Sequence, residues 1–204
     1  MKFYDSVGPN PRVVRMFAAE RGATLGEKIT VDLRGGENRQ PAHMARNPFG
    51  QMPTLELDDG SFIAEITAIC EYLDEVTPGA SLIGATPAER ANTRMWVRRL
   101  DLNIIENLAN GFRFSAGLKL FENRIHCIPQ AAEDLKATAQ EWLTRLDGMI
   151  AGRDFIAGPK LTLADVLLFC FIDFAAQVGQ PINPAQANIV AFHARMKARP
   201  SAAA

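Results

Sequence analysis

The chain is short of the residues on which most catalytic and metal chemistry rests. It holds three cysteines, three histidines, two tyrosines and two tryptophans in 204 residues. Cys70, Cys127 and Cys170 are odd in number, far apart and set in apolar stretches predicted as helical, which excludes a disulfide framework and points to buried structural thiols. His43, His126 and His193 are too scattered to share a helix, so no metal is expected. Acidic and basic residues nearly cancel, 23 against 22, for a net charge of −1. With no basic tract, no interleaving of aromatic and basic residues and no zinc-finger spacing, nucleic acid is not an expected partner. No apolar run is long enough to span a membrane, and Lys2-Phe3-Tyr4 already reads as a strand where a signal peptide would begin. A cytoplasmic location follows as the default.

What is present is an ordinary core-forming composition, 48% hydrophobic, in a chain long enough for one large domain or two small ones. Its texture changes near Thr77-Pro78-Gly79. Before that point strands and helices alternate, and from Thr86 onward the pattern is helical. Domains are therefore expected at 1–78 and 86–204. Lys2 to Asp5 is predicted as a strand, followed by a helix capped by Asn10 with Pro11 as its first residue. Val13, Val14, Phe17 and Ala18 form its apolar face and Gly22 stops it. Glu27 to Leu33 is predicted as a second strand and Pro41 to Arg46 as a short helical turn.

In the second half, Thr86-Pro87-Ala88-Glu89 is a capping box with proline at the first helical position. It opens a long helix through Met95, Trp96, Leu100, Ile104, Ile105 and Leu108 toward Gly117. A further helix is expected from Gln130 to Met149. Thr162-Leu163-Ala164-Asp165 is a second capping box, and it leads into the most apolar run, Val166 to Phe174, which belongs in the middle of a bundle. A last helix is expected over Ala187 to Ala198.

Residues 47 to 75 carry the most information. Pro53 lacks an N–H and forces Met52 into an extended conformation, so the Met52 backbone is a candidate strand edge for a peptide-like ligand. Thr54 to Leu57 alternates as a strand, Asp59-Gly60 supplies a turn, and Ser61 to Ala64 returns. Glu65 then opens a helix with Ile66, Ile69, Tyr72 and Leu73 on one face. This succession, Asn-Pro, a turn, an aliphatic residue before proline, strand, Asp-Gly, an acid and a helix ending in Tyr-Leu, resembles the glutathione-binding half of the glutathione transferase family. The capping box at Thr162 after Ile156-Ala157-Gly158 resembles the family's second signature, and the likeness runs from Lys2 to Pro200.

The resemblance implies an α/β thioredoxin-like domain followed by an all-α helical bundle, with glutathione as co-substrate, no other cofactor, and a detoxifying homodimer. It implies that Met52 and Pro53 hold the tripeptide backbone and that Glu65 faces the γ-glutamyl ammonium. Ile66 stands where the family has serine, so there the backbone N–H remains, with Thr67 as the candidate substitute hydroxyl. Asn38, Arg39 and Gln51 are similar in position to residues that hold the glycine carboxylate. An apolar electrophile would meet Phe112-Arg113-Phe114 on the long helix, where two rings flank a cation.

Thiol activation is the open point. A thiol of pKa about 8.5 must be stabilised as its anion, and lowering that pKa by two units takes about 2.7 kcal/mol. One hydrogen bond to the charged sulfur, ~1.5–3 kcal/mol, with a helix N-terminus, ~0.3–1 kcal/mol, suffices. Aligned on Arg12-Val13-Val14-Arg15, the family's Tyr, Ser or Cys position falls between Gly8 and Asn10, where this chain has no hydroxyl or thiol. Asn10 is the first candidate, its oxygen capping the helix and its amide donating outward. Ser6 is the second, and a water at the helix terminus is a third. Three functions remain: glutathione transfer to an electrophile, glutathione-dependent reduction of a disulfide or peroxide, and a non-catalytic binding or assembly module of this fold.

Overall fold

In strand β1, Lys2–Asp5, Phe3 is turned to one face of a small sheet and Tyr4 to the other, and both are buried, so both faces are covered. In the computed structural model, which describes residues 1–204, β1 pairs in parallel with β2, Glu27–Thr30, and antiparallel with β3, Thr54–Glu56. Strand β3 pairs in turn with β4, Phe62–Ala64, giving the order β2-β1-β3-β4. Strand β2 stops short of the predicted Leu33. Val31 still donates to the Asp5 carbonyl, but the Asp32 side chain and carbonyl then take the amides of Gly35 and Glu37 and turn the chain away.

Helix α1, Pro9–Arg21, follows β1 and buries Val13, Val14, Met16 and Phe17. It begins two residues earlier than the sequence suggests. Gly8 supplies the N-cap at φ 109°, a conformation that side chains resist, and Pro9 fits the first position because its φ is locked and it has no N–H to satisfy. Asn10 is thus a first-turn residue and not the cap. Gly22 ends the helix in the left-handed region, as expected. A 3₁₀ turn, Glu37–Arg39, and the short helix α2, Pro41–Met44, lead to the cis Met52–Pro53 bond. Helix α3, Ile66–Val76, packs Ile69, Cys70 and Leu73 inward and lies against α1. Each such apolar side chain contributes about 1.5–3 kcal/mol on burial.

A buried ion pair joins these two helices. Arg21 Nε donates to Asp74 Oδ1 at 2.9 Å, and its other nitrogens donate to the carbonyls of Asp74, Thr77 and Pro78. Asp74 also accepts from Ser81 Oγ and the Leu82 amide. These contacts belong to a unit formed by Met1–Ala85 and Pro200–Ala204, while Thr86–Arg199 forms the other.

The second unit is helical. Helix α4, Pro87–Leu100, starts at the predicted capping box, with Thr86 and Glu89 each accepting the other's backbone amide. The long apolar pattern does not form one uniform helix. After Leu100 the chain widens into a π segment, Asp101–Ile105, and then resumes as α5, Glu106–Arg113. Asn103 and Asn107 donate their amides to the carbonyls four residues back, Arg99 and Asn103. Trp96, Leu100, Ile104, Ile105 and Leu108 are buried as expected, whereas Met95 is 41% exposed.

A single turn, α6 (Leu118–Phe121), precedes α7, Ala132–Met149, then α8, Leu163–Gln177, and α9, Ala187–Lys197. Helix α8 is buried on nearly every side and contacts α4, α5 and α9. Its Asp165, fully buried, accepts from Ile156 N at 2.7 Å, Thr162 N at 2.8 Å and Thr162 Oγ1 at 2.9 Å. Cys70 and Cys170 are buried, but Cys127 is half-buried in the loop between α6 and α7, because the stretch around it does not form a helix. No helix is long and apolar enough to cross a membrane.

Candidate functional site

Several elements of the first unit end at one edge of the sheet. The ladder pairs Tyr4 with Thr54 and Thr54 with Ala64. The chain thus leaves β1 toward α1 and β4 toward α3 at the end of the sheet where Gln51–Pro53 enters β3.

Met52 is buried in a cluster with Tyr4 and Val31, and because the ladder begins at Thr54, its backbone takes no part in the sheet. The segment before it is held rigidly. Asn47 Nδ2 donates to the Gln51 carbonyl at 3.0 Å, and its Oδ1 accepts from the Phe49 amide at 3.1 Å. His43 Nε2 lies 3.4 Å from the same Gln51 carbonyl. Asn38, 4% exposed, gives its amide to the Gly50 carbonyl. Asn38 thus fastens the turn from inside, while Arg39 beside it and Gln51 are exposed. Gly50 sits at φ 60°, where an added Cβ would come 3.0 Å from Met44 Sδ.

Glu65, the residue before α3, has φ 70°, alone among the non-glycine residues in having positive φ. A bulky residue in that region stores strain of order 1–3 kcal/mol, a cost associated with functional positions. Its carboxylate is exposed and makes no capping bond, and the adjoining Ile66 is half-buried.

At the start of α1, Pro9 and Pro11 both lack an N–H, so among the first three helical positions only Asn10 keeps a backbone donor. Asn10 is half-buried and its side chain makes no cap. Ser6 is buried, and its hydroxyl donates to the Val31 carbonyl at 2.8 Å, which ties the end of β1 to the strand beside it. Tyr4 donates to Glu56 Oε2 at 2.6 Å, and burial with that bond raises its pKa. It is therefore no source of an acidic phenol.

Phe112, Arg113 and Phe114 lie in the second unit. Phe112 stands edge-on to Phe121 and Phe174, with centroids 6.1 and 5.1 Å away. Arg113 donates to Asn110 Oδ1 at 2.9 Å and lies 5.8 Å from the Phe121 centroid, and Phe114 is buried. No group of three or more His, Cys, Asp or Glu side chains converges as a metal site requires.

The sequence does not single out Asn47 and His43 as supports, since Asn47 belongs there to an Asn-Pro turn and His43 is one of three scattered histidines. A polar side chain in an otherwise apolar turn before the Met-Pro pair was the available signal.

Residues 7–76 match the family described as Glutathione S-transferase, N-terminal domain, and residues 118–200 match Glutathione S-transferase, C-terminal domain. Glutathione S-transferase 2 of Saccharomyces cerevisiae is 31% identical over 208 residues, covering 98% of this chain and 87% of that one. A crystal structure of a glutathione S-transferase domain-containing protein from Marinobacter aquaeolei VT8 is 37% identical with a TM-score of 0.92, over 98% of this chain and 99% of that one. Human elongation factor 1-gamma is 30% identical over 136 residues, which is 67% of this chain and 29% of that protein. The chain belongs to the glutathione S-transferase family, with that family's thioredoxin-like first domain and helical second domain.

Proposed function

We propose that this protein is a glutathione transferase that binds glutathione at the Gln51–Pro53 edge and activates its thiol for attack on an apolar electrophile. The observation that carries this reading is the pairing of an unladdered Met52 backbone with a strained, exposed Glu65 at the start of α3. An extended peptide can add to the first, and the second offers a carboxylate to an ammonium group. Two helix starts favour the anionic groups of the same ligand. The Ile66 amide and Thr67 take the γ-glutamyl carboxylate, and Arg39 and Gln51, both exposed, take the glycine end. Asn38 acts by fixing the turn that carries them.

For the sulfur, Asn10 is the favoured donor, because the Ser6 hydrogen is committed to Val31. Asn10 brings a side-chain amide and the remaining first-turn N–H together. Phe112, Arg113 and Phe114 receive the electrophile. The protein acts as a cytoplasmic homodimer, and a monomer in size-exclusion chromatography with light scattering would contradict that assignment.

The test is calorimetric titration with glutathione, paired with ultraviolet thiolate absorbance of the complex in wild type and in Asn10→Ala. Binding with a thiolate signal that falls in the variant supports the mechanism. A signal unchanged in the variant moves activation to a water at the helix terminus. A second reading, a non-catalytic binding or assembly module, draws on one observation: neither position 66 nor the first turn of α1 carries a hydroxyl or thiol. Turnover above background with a chlorinated aromatic acceptor or a hydroperoxide decides against the module.

A further inference from the structure

Asn47 is a buried polar side chain in a turn that belongs to no helix or strand. It is 2% exposed, although Pro48 and Phe49 beside it are open to solvent. Its two polar atoms reach different parts of the chain. Oδ1 accepts the Phe49 amide at 3.1 Å and closes an Asx turn, while Nδ2 donates to the Gln51 carbonyl at 3.0 Å. His43 Nε2 lies 3.4 Å from the same oxygen, a longer contact that secures it less firmly.

The Gln51 carbonyl and the Met52 N–H belong to one peptide unit. That unit is trans, since the cis bond of this chain is the next one, Met52–Pro53. In a planar trans peptide the oxygen and the hydrogen point in opposite directions and can only turn together. Holding the Gln51 oxygen toward Asn47 therefore aims the Met52 hydrogen away from it. That hydrogen has no acceptor within the chain, because the ladder begins at Thr54 and no carbonyl elsewhere takes it. The Met52 side chain is buried with Tyr4 and Val31, so the residue cannot shift as a whole to compensate for a rotated peptide. Without the Asn47 donor, the Gln51 oxygen gains by turning toward water and carries the Met52 N–H with it.

We propose that Asn47 is a positioning residue for glutathione: through the Gln51 carbonyl, its amide sets the direction in which the Met52 N–H is offered to the main chain of the tripeptide. This role rests on the glutathione reading of the Gln51–Pro53 edge. Asn47 itself touches no ligand atom and acts through the peptide between Gln51 and Met52.

The experiment is calorimetric titration of the full chain with glutathione in wild type, Asn47→Asp and Asn47→Ala, with the Met52 ¹H–¹⁵N resonance followed through the same titrations. Aspartate keeps the shape of asparagine and the oxygen that accepts the Phe49 amide, but it sets a second acceptor against the Gln51 carbonyl in place of a donor. Alanine removes the donor without adding a charge, which separates loss of the bond from repulsion of the ligand's carboxylates. Each variant is expected to bind glutathione about tenfold more weakly with the number of sites per chain unchanged. A merely structural role gives the reverse, fewer competent chains at wild-type affinity. In wild type the Met52 amide proton is expected to move downfield and to saturate with the calorimetric affinity, and in the variants it is expected to move less at saturation. Wild-type affinity in Asn47→Ala overturns the positioning role and leaves the glutathione reading standing. A Met52 amide that stays put in wild type saturated with glutathione overturns it too, whether or not the variants fold. No binding of glutathione by wild type removes the glutathione reading and this role with it.

Discussion

Asp165 shows what a buried polar side chain does when its charge and its hydrogen bonds pull in opposite directions. Burial raises its pKa to about 6, although three donors converge on its two oxygens and each favours the anion. The raised value means that the folded chain holds a proton between about pH 4 and 6 that the unfolded chain has lost. Stability from this group is full below pH 4, falls as pH rises through 6 and is flat above, a loss of about 3 kcal/mol. Asp165→Asn cannot titrate. The difference in unfolding free energy between wild type and Asp165→Asn, from chemical denaturation at pH 4 to 7.5, is expected to shift against wild type as pH rises. A difference independent of pH would mean that Asp165 keeps an ordinary carboxylate pKa. The sequence showed Thr162 and Asp165 as a capping pair. It did not show the Ile156 amide, because that contact is set by how the preceding loop folds.

Among the elements, α1 and α3 are joined by one guanidinium as well as by their apolar faces. Arg21 and Asp74 are both under a tenth exposed, and between them they hold two carbonyls and an amide of the segment that leaves α3. Asp74→Ala would leave Arg21 charged and buried without its partner. It is expected to cost about 3–5 kcal/mol in denaturant unfolding, whereas a loss under 1 kcal/mol would show that the pair is dispensable. How legible such elements were depended on whether the signal was local. The Thr86 box, the Gly22 stop and the strand at Lys2 to Asp5 lie within one turn or one strand, and each was readable. The start of α1 was not, since Gly8-Pro9 and Asn10-Pro11 both satisfy the rule for a helix start, and only the backbone angle at Gly8 decides between them. The π segment in Asp101–Ile105 was hidden for a related reason. Trp96, Leu100, Ile104 and Leu108 keep a helical spacing of four, which an α-helix and a helix with one wide turn share. The approach to the Met52-Pro53 pair and the helix opening after Glu65 were readable, where proline and an acid mark the chain. The bonds that fix it, from Asn38, His43 and Asn47, run to backbone carbonyls and leave no periodic trace.

For the molecule as a whole, the first unit is not a continuous piece of chain. Its last part, Pro200–Ala204, arrives only after the helical unit is complete. There Arg12 donates to the Ala202 carbonyl at 2.9 Å and Ser201 Oγ donates to Glu20, so the chain's final turn is fastened to α1 at both ends of that helix. Both are hydrogen bonds to charged groups, each contributing about 1.5–3 kcal/mol. Because α1 also opens onto the Gln51–Pro53 edge, anything that loosens it reaches the proposed glutathione site. A chain ending at Arg199 is therefore expected to lose amide protection along α1 in hydrogen exchange while keeping it in α8, and to bind glutathione several-fold more weakly. Ser201→Ala isolates one of the two bonds and should lower α1 protection by less. Equal protection of α1 in the truncated and full chains would show that β1, α3 and the Arg21–Asp74 pair hold that helix without help from the end of the chain.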